Sequence, residues 1–295
     1  METPLLTIFT PAYNRAHTLG ALYESLCSQS SKDFEWILVN DGSTDDTDSL
    51  ARRWLEEGRV RMRYFSQPNA GKMSCHNLAV DKAAGMLLMC LDSDDCLAGE
   101  DVVEKCVSFW KAADPPENIC GMITYKSLHN GYKKFPEGMD TAHIYELRKA
   151  GYMGENAVIV RNDVLRAHKF PVFEGEKFVT DAYIFEQIDR DYSYLLMPFV
   201  SQECRYNPDG YSFNYLRLLF SNPQGYREYH NQRIRLGYEG KFKSAICWGA
   251  VSIRMGLKGL FTKSASPLLV AAAFPAAVAK YILDSIKLKT FGKVC

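Results

Sequence analysis

The sequence predicts an α/β protein built on a doubly wound, mainly parallel sheet, with a helical appendage at its C-terminal end. Two observations carry this. Strand and helix patterns alternate over the first hundred residues, the order that a parallel sheet with crossover helices requires. Each predicted strand then runs into a short, polar, turn-prone segment, the place where such sheets bind ligands.

The elements follow in order. Leu5 to Thr10 reads as a short buried strand, and Thr18 to Ser28 places Leu19, Leu22 and Leu26 at helical spacing. Phe34 to Val39 is a second strand, rich in aromatic and branched residues. Asp45 to Glu57 is helical, with Leu50, Trp54 and Leu55 facing inward. Val60 to Phe65 alternates apolar and polar residues as a third strand. Lys72 to Ala84 is a third helix, and Met86 to Leu91 a fourth strand. Further on, Ala157 to Val160 reads as a strand and Ala182 to Ile188 has helical apolar spacing.

Bulk composition narrows the function. The 295 residues carry 35 basic and 35 acidic side chains, so bulk charge gives no support for a nucleic-acid partner. An apolar content of 47% is ample for a core. Nine cysteines without CxxC spacing fit a reduced, cytoplasmic setting better than a disulfide framework or a zinc site. Cys75, Cys90 and Cys120 read as packing residues. A strand begins almost at the N-terminus, so no signal peptide is expected.

The densest chemistry is Leu91-Asp92-Ser93-Asp94-Asp95, directly after the fourth strand. Carboxylates this close repel and lose hydration unless a cation compensates them. Their oxygens suit Mg²⁺ or Mn²⁺, which is often held by one or two carboxylates with substrate phosphates completing its shell. A solvated turn or helix cap is the plain alternative. The other three strand ends carry Thr10-Pro11-Ala12-Tyr13-Asn14-Arg15, Asn40-Asp41-Gly42-Ser43-Thr44-Asp45 and Gln67-Pro68-Asn69-Ala70-Gly71-Lys72. Each alone makes a turn or a cap; four at one sheet edge argue for a single pocket.

Together, TPAYNR, VNDGSTDDT, NAGK with the following His76-Asn77, and LDSDD resemble the family 2 glycosyltransferases of the GT-A fold, Rossmann-like and doubly wound. The resemblance covers about the first hundred residues well and the rest more loosely. It implies an inverting enzyme that moves a sugar from a nucleotide-sugar, expected to be UDP-linked, to a hydroxyl of a carbohydrate or lipid-linked glycan in cell-surface polysaccharide synthesis. It implies donor contacts from Thr10, Pro11, Tyr13, Arg15, Asp41, Gly71, Lys72, Asn77, Asp92 and Ser93. Tyr13 would stack on the base, Arg15 reach the pyrophosphate and Asp41 accept from the uracil N3–H. Asp94, with Asp92, would hold the Mn²⁺ or Mg²⁺ that stabilises the leaving diphosphate. Where many relatives have Asp-Asp and Arg-Asn, this chain has Asn40-Asp41 and His76-Asn77.

Inversion also needs a base for the acceptor hydroxyl. By the same resemblance Asp181, just before Ala182, takes that role, with Glu176 as runner-up and a helix cap as the plain reading of either. Glu155, Asn156, Arg205 and Tyr206 are weaker candidates near sugar or acceptor. A nucleotidyltransferase and an inactive nucleotide-sugar-binding protein are the competing readings. The expected domains are 1–215, the catalytic domain (1–100 nucleotide-binding, 101–215 sugar and acceptor), and 216–295, a helical region. There the longest uncharged apolar stretch, Pro267 to Ala279, is shorter than a membrane span and contains Pro275. Its flanking lysines suit a helix lying on the inner face of the membrane; packing on the catalytic domain or on a second subunit is the alternative.

Overall fold

The computed structural model describes residues 3–128, 131–204 and 217–291, with side chains described to residue 287. The chain divides into two compact units, Met1–Phe170 with Ile184–Pro208, and Pro171–Tyr183 with Asp209–Cys295.

The first unit opens with three strand–helix pairs: β1 (Leu6–Ala12), α1 (Leu19–Cys27), β2 (Phe34–Asn40), α2 (Thr47–Glu57), β3 (Met62–Ser66) and α3 (Lys72–Lys82). It continues with β4 (Leu87–Cys90), β5 (Cys96–Leu97), α4 (Val102–Ala113), β6 (Ile119–Ser127), β7 (Thr141–Ala142), α5 (Ile144–Lys149), β8 (Asn156–Arg161) and α6 (Asn162–Ala167). After α7 (Ala182–Ile188) comes its last strand, β9 (Ser193–Glu203). The strands form one sheet ordered β3-β2-β1-β4-β8-β6-β9-β5, with β7 also paired to β9. β1 is parallel to β2 and β4, and β2 to β3. β8 runs against both β4 and β6, and β9 runs parallel to β6. The carboxyl ends of β1, β2, β3, β4, β6 and β9 therefore share one edge, which the amino end of β8 joins. The mainly parallel α/β sheet is as the alternation predicts.

Hydrophobic burial explains the register. Every residue of β2 is buried, as a strand covered on both faces should be. Tyr23 stacks on Trp54 at 4.4 Å between ring centroids, and both lean on Trp36, joining α1 and α2 to the sheet. Glu35, fully buried in β2, is satisfied by the Thr7 hydroxyl at 2.8 Å and the Ala84 backbone N–H at 2.6 Å. Where β6 meets β8, a Cβ on Gly121 would stand on the Ile159 carbonyl, so that close pairing requires glycine.

The second unit contains α8 (Pro223–Arg235), α9 (Lys241–Arg254) and α10 (Pro267–Phe291). Val270, Ala273 and Ala277 bury one stripe of α10, and Gly249 in α9 admits the Ala277 methyl. Pro275 does not end the helix: α10 runs through it and is 25 residues long in all. Proline removes one N–H and crowds the preceding turn, but the small residues around it and the packed stripe keep the helix intact. Its segment Pro267–Lys287, of mean hydropathy 1.5, has the length and composition to cross a membrane.

Candidate functional site

The four polar segments bind one another before any ligand is considered. Asn14 adopts a left-handed conformation, φ +53°, and its Oδ1 accepts from the Thr44 N–H at 2.8 Å. The Asn14 and Arg15 N–H groups donate to Ser43 Oγ and Thr47 Oγ1 at 2.9 and 3.1 Å. These bonds lock the first loop to the second. Tyr13 is 47% exposed, with ring surface open for stacking. Pro11 and Arg15 are half-buried. Thr10 is fully buried, and its Oγ1 accepts from Trp36 Nε1 at 3.1 Å.

Asn40 shapes the second loop, accepting from the Ser43 N–H at 2.9 Å and donating to the Tyr64 hydroxyl at 2.8 Å. Asp41 reaches into the third loop. Its carboxylate accepts from Gln67 Nε2 at 2.8 Å, from the Ala70 N–H at 2.9 Å and from the Gly71 N–H at 2.8 Å. Gly42 makes this approach feasible, because a Cβ there would stand 2.7 Å from the Asn69 N in a left-handed backbone. Gly71, at φ +91°, opens α3 in a conformation that side chains disfavour.

Asp41 thereby positions Lys72, whose Nζ lies 2.7 Å from Asp92 Oδ1. The next turn of α3 faces inward. His76 is buried edge-on to Phe9 and Phe170, and burial, reinforced by Lys72, lowers its pKa to about 3. It is neutral, so position 76 brings no charge to a ligand. Asn77 Oδ1 accepts from the Phe170 N–H at 3.0 Å and its Nδ2 donates to the Phe170 carbonyl at 2.9 Å. Both ends of its amide serve to fix that residue.

The acidic run turns back on itself through the Asp95 N–H to Asp92 carbonyl bond at 2.9 Å. Its carboxylates are not equivalent. Asp95 is buried, 3.4 Å from Lys126 Nζ, and accepts from the Cys204 thiol at 3.4 Å. Burial raises its pKa, Lys126 opposes, and the charges of Asp92 and Asp94 add to the rise. Asp92 keeps about a third of its side chain exposed. Burial works to raise its pKa as well, but Lys72 and Lys126, with hydrogen bonds from Lys72 and the Cys90 thiol, hold it at about 2. Asp94 is half-buried and Ser93 buried between them. Among the described residues no three His, Cys, Asp or Glu side chains cluster as a metal site.

Lys126 is the functional candidate that the sequence patterns miss. Burial disfavours its charge, yet the carboxylates of Asp92 and Asp95 raise its pKa. Its only signal is a lysine at the end of an otherwise apolar strand. On the neighbouring strand, Asn156 accepts from the Tyr152 hydroxyl at 2.7 Å, and Glu155 is exposed.

In the second unit Glu176 is a helix cap. Its two oxygens accept from the Gln224 and Gly225 N–H groups, both at 2.8 Å, at the start of α8. An anion there satisfies orphan donors and the helix dipole. Asp181 is exposed, immediately before α7. Arg205 and Tyr206 lie outside the described residues.

A family model described as glycosyl transferase family 2 matches residues 7–169. A hyaluronan synthase of Pasteurella multocida is 40% identical over 106 residues, 36% of this chain and 11% of that protein. A PGL/p-HBAD biosynthesis glycosyltransferase of Mycobacterium bovis is 30% identical over 129 residues, 44% of this chain and 50% of the relative. The chain thus spans a tenth to a half of the length of these relatives. Among solved structures, S. aureus TarS 1–349 in complex with UDP-GlcNAc superposes with a TM-score of 0.59 at 16% identity, over 95% of this chain and 81% of that one. The mannosyltransferase PcManGT of Pyrobaculum calidifontis, in complex with GDP-Man and Mn²⁺, gives 0.56 at 18% identity, over 96% and 88%. At such identities the likeness concerns the fold, which is GT-A.

Proposed function

The chain belongs to glycosyl transferase family 2, and on that premise we propose that it is an inverting, metal-dependent glycosyltransferase using a UDP-sugar. The acceptor is a hydroxyl of a carbohydrate or lipid-linked glycan in cell-surface polysaccharide synthesis. The observation that carries the reading is the convergence of Tyr13, the Asp41–Gly71 contact and the Lys72–Asp92 pair on one sheet edge. A cytoplasmic setting fits nine cysteines without CxxC spacing.

Each residue then has a task. Tyr13 stacks on the base and Arg15 approaches the pyrophosphate. Asp41 accepts from the uracil N3–H when Gln67, the one side-chain donor among its three, swings aside. Asp94 and Asp92 fit a divalent ion: they offer hard oxygen ligands, both are partly exposed, and Asp92 is held ionised. Bound there, Mn²⁺ or Mg²⁺ supplies Lewis-acid stabilisation of the departing diphosphate. On the acceptor side Asp181 takes the hydroxyl proton as that oxygen bonds to the anomeric carbon. The bond from that carbon to the phosphate oxygen breaks, and the nucleoside diphosphate leaves with the electron pair. Glu176 is set aside as base, because helix α8 occupies both its oxygens.

A thermal-shift screen of nucleotide-sugars with and without Mn²⁺ tests this. A selective, metal-dependent rise with one UDP-sugar is expected, and Asp94→Ala should abolish it. Asp181→Ala should keep the rise and lose transfer. No response to any nucleotide would sink the reading.

A further inference from the structure

We propose that the outward face of α10 lies in the plane of an anionic lipid bilayer and seats the protein on the membrane surface. An ordinary surface helix buries an apolar stripe and shows solvent a polar one. Helix α10 does the first and not the second. Its inner stripe, Val270, Ala273 and Ala277, is buried. Its outer face carries Leu268, Pro275, Ile282 and Ile286, at spacings of seven, seven and four residues, widened by Val278 and Leu283. Leu268 is 86% exposed, Leu283 59%, Ile286 57% and Ile282 51%. The exposed positions between them are alanines, so no charged side chain interrupts this face from Leu268 to Ile286. Single exposed apolar residues need no explanation; a continuous face of this length does.

Charge selects the occupant. The whole chain balances 35 basic against 35 acidic residues, but Lys241 to Lys287 holds seven basic residues and one acidic, Asp284. Leu257 and Phe261, 48% and 45% exposed, precede α10 with Lys258 and Lys263 beside them. Apolar side chains fringed by lysines match the acyl region and the anionic headgroups of a leaflet. A protein partner of neutral surface would leave that excess unanswered.

The same residues decide the orientation. Lys280 pairs with Asp284 at 2.9 Å on the side of α10 away from the exposed face. A membrane-crossing α10 would carry this pair into hydrocarbon, where charge is costly. Lying flat, α10 immerses only its outer face and keeps the pair out of the hydrocarbon.

Flotation of the full chain with vesicles of phosphatidylcholine containing about 30% phosphatidylglycerol, and of phosphatidylcholine alone, tests this. The protein should float with the anionic vesicles and less with the neutral ones. The double variant Ile282→Ser/Ile286→Ser should partition at least about tenfold more weakly, and Lys263→Glu/Lys287→Glu should lose the preference for anionic lipid. Donor-induced melting shifts, followed in the same variants, should stay at wild-type values. That readout separates a failure here from a failure of the sugar-transfer reading. Wild type failing to float, or the serine variant floating equally well, would overturn the proposal. So would a concentration-dependent dimer that the serine variant dissolves while wild type ignores vesicles, because the face would then belong to a second copy.

Discussion

Replacing Asp41 with alanine is the sharpest test of how the nucleotide edge is built. Three donors of the third loop converge on this carboxylate: Gln67 Nε2 at 2.8 Å, the Ala70 N–H at 2.9 Å and the Gly71 N–H at 2.8 Å. Only 4% of Asp41 is exposed, and Gly71 is buried with it. Hydrogen bonds to a charged group contribute about 1.5–3 kcal/mol each, and a buried donor left unmet costs about 1–3 kcal/mol. Gln67 can turn to water and Ala70 is half-buried, so Gly71 bears most of the loss. The expected destabilisation is about 3–4 kcal/mol. Urea unfolding followed by tryptophan fluorescence, with Trp36 and Trp54 in the surrounding core, should show a lower midpoint at unchanged slope. Asp41→Asn keeps one oxygen but turns an N–H₂ toward the loop, and should lose about half as much. UDP binding should weaken in both, because Gly71 adjoins Lys72. A stability within about 0.5 kcal/mol of wild type for Asp41→Ala would refute the reasoning; the carboxylate would then serve the ligand alone.

Three further outcomes follow from the same contacts. Lys72→Met removes the nearest cation from Asp92, whose depressed pKa adds stability above about pH 4 that is lost as pH falls toward about 2; pH-dependent denaturation should show that contribution shrink, by about 1–2 kcal/mol at neutral pH. His76→Phe should flatten acid destabilisation between about pH 6.5 and about 3, where the unfolded chain takes up a proton that the buried ring refuses; melting temperatures against pH, with the donor-induced shift retained, check this. Glu176→Gln should cost about 1 kcal/mol by weakening the α8 cap and leave transfer intact; loss of transfer at unchanged stability would return Glu176 to the base role.

Much of the sheet was legible because parallel strands covered on both faces read as apolar runs, and β1, β2 and β4 were found within two residues at each end. The loops between them were legible as candidates, since turn residues at successive strand ends mark a ligand edge. The direction in which each polar side chain points was not. The side chains of Thr10 and Asn77 meet Trp36 and Phe170. Alternation along a strand and a few residues along a helix decide such outcomes, and both depend on contacts remote in sequence. Lys126 and Gln67 escaped for the same reason: the carboxylates they meet lie 31 and 26 positions away. The assignment of 171–183 to the C-terminal unit, Asp181 included, rests on contacts such as Glu176 with Gly225, 49 positions apart.

The acidic run shows what that missing information changes. Three carboxylates in four positions would be untenable at a half-buried edge without nearby cations. Lys72 from α3 and Lys126 from β6 bring two positive charges to three negative ones, so the protein answers most of the charge itself. The division of labour within the run then follows from burial rather than from spacing. Asp95 sits deepest, between Lys126 and the Cys204 thiol, and burial pushes its pKa up. Asp92 sits nearer the opening, where the two lysines outweigh desolvation and keep it ionised. A mutation at Asp95 should accordingly act through folding of the edge, whereas Asp92 and Asp94, both partly exposed, are the carboxylates proposed to meet a ligand.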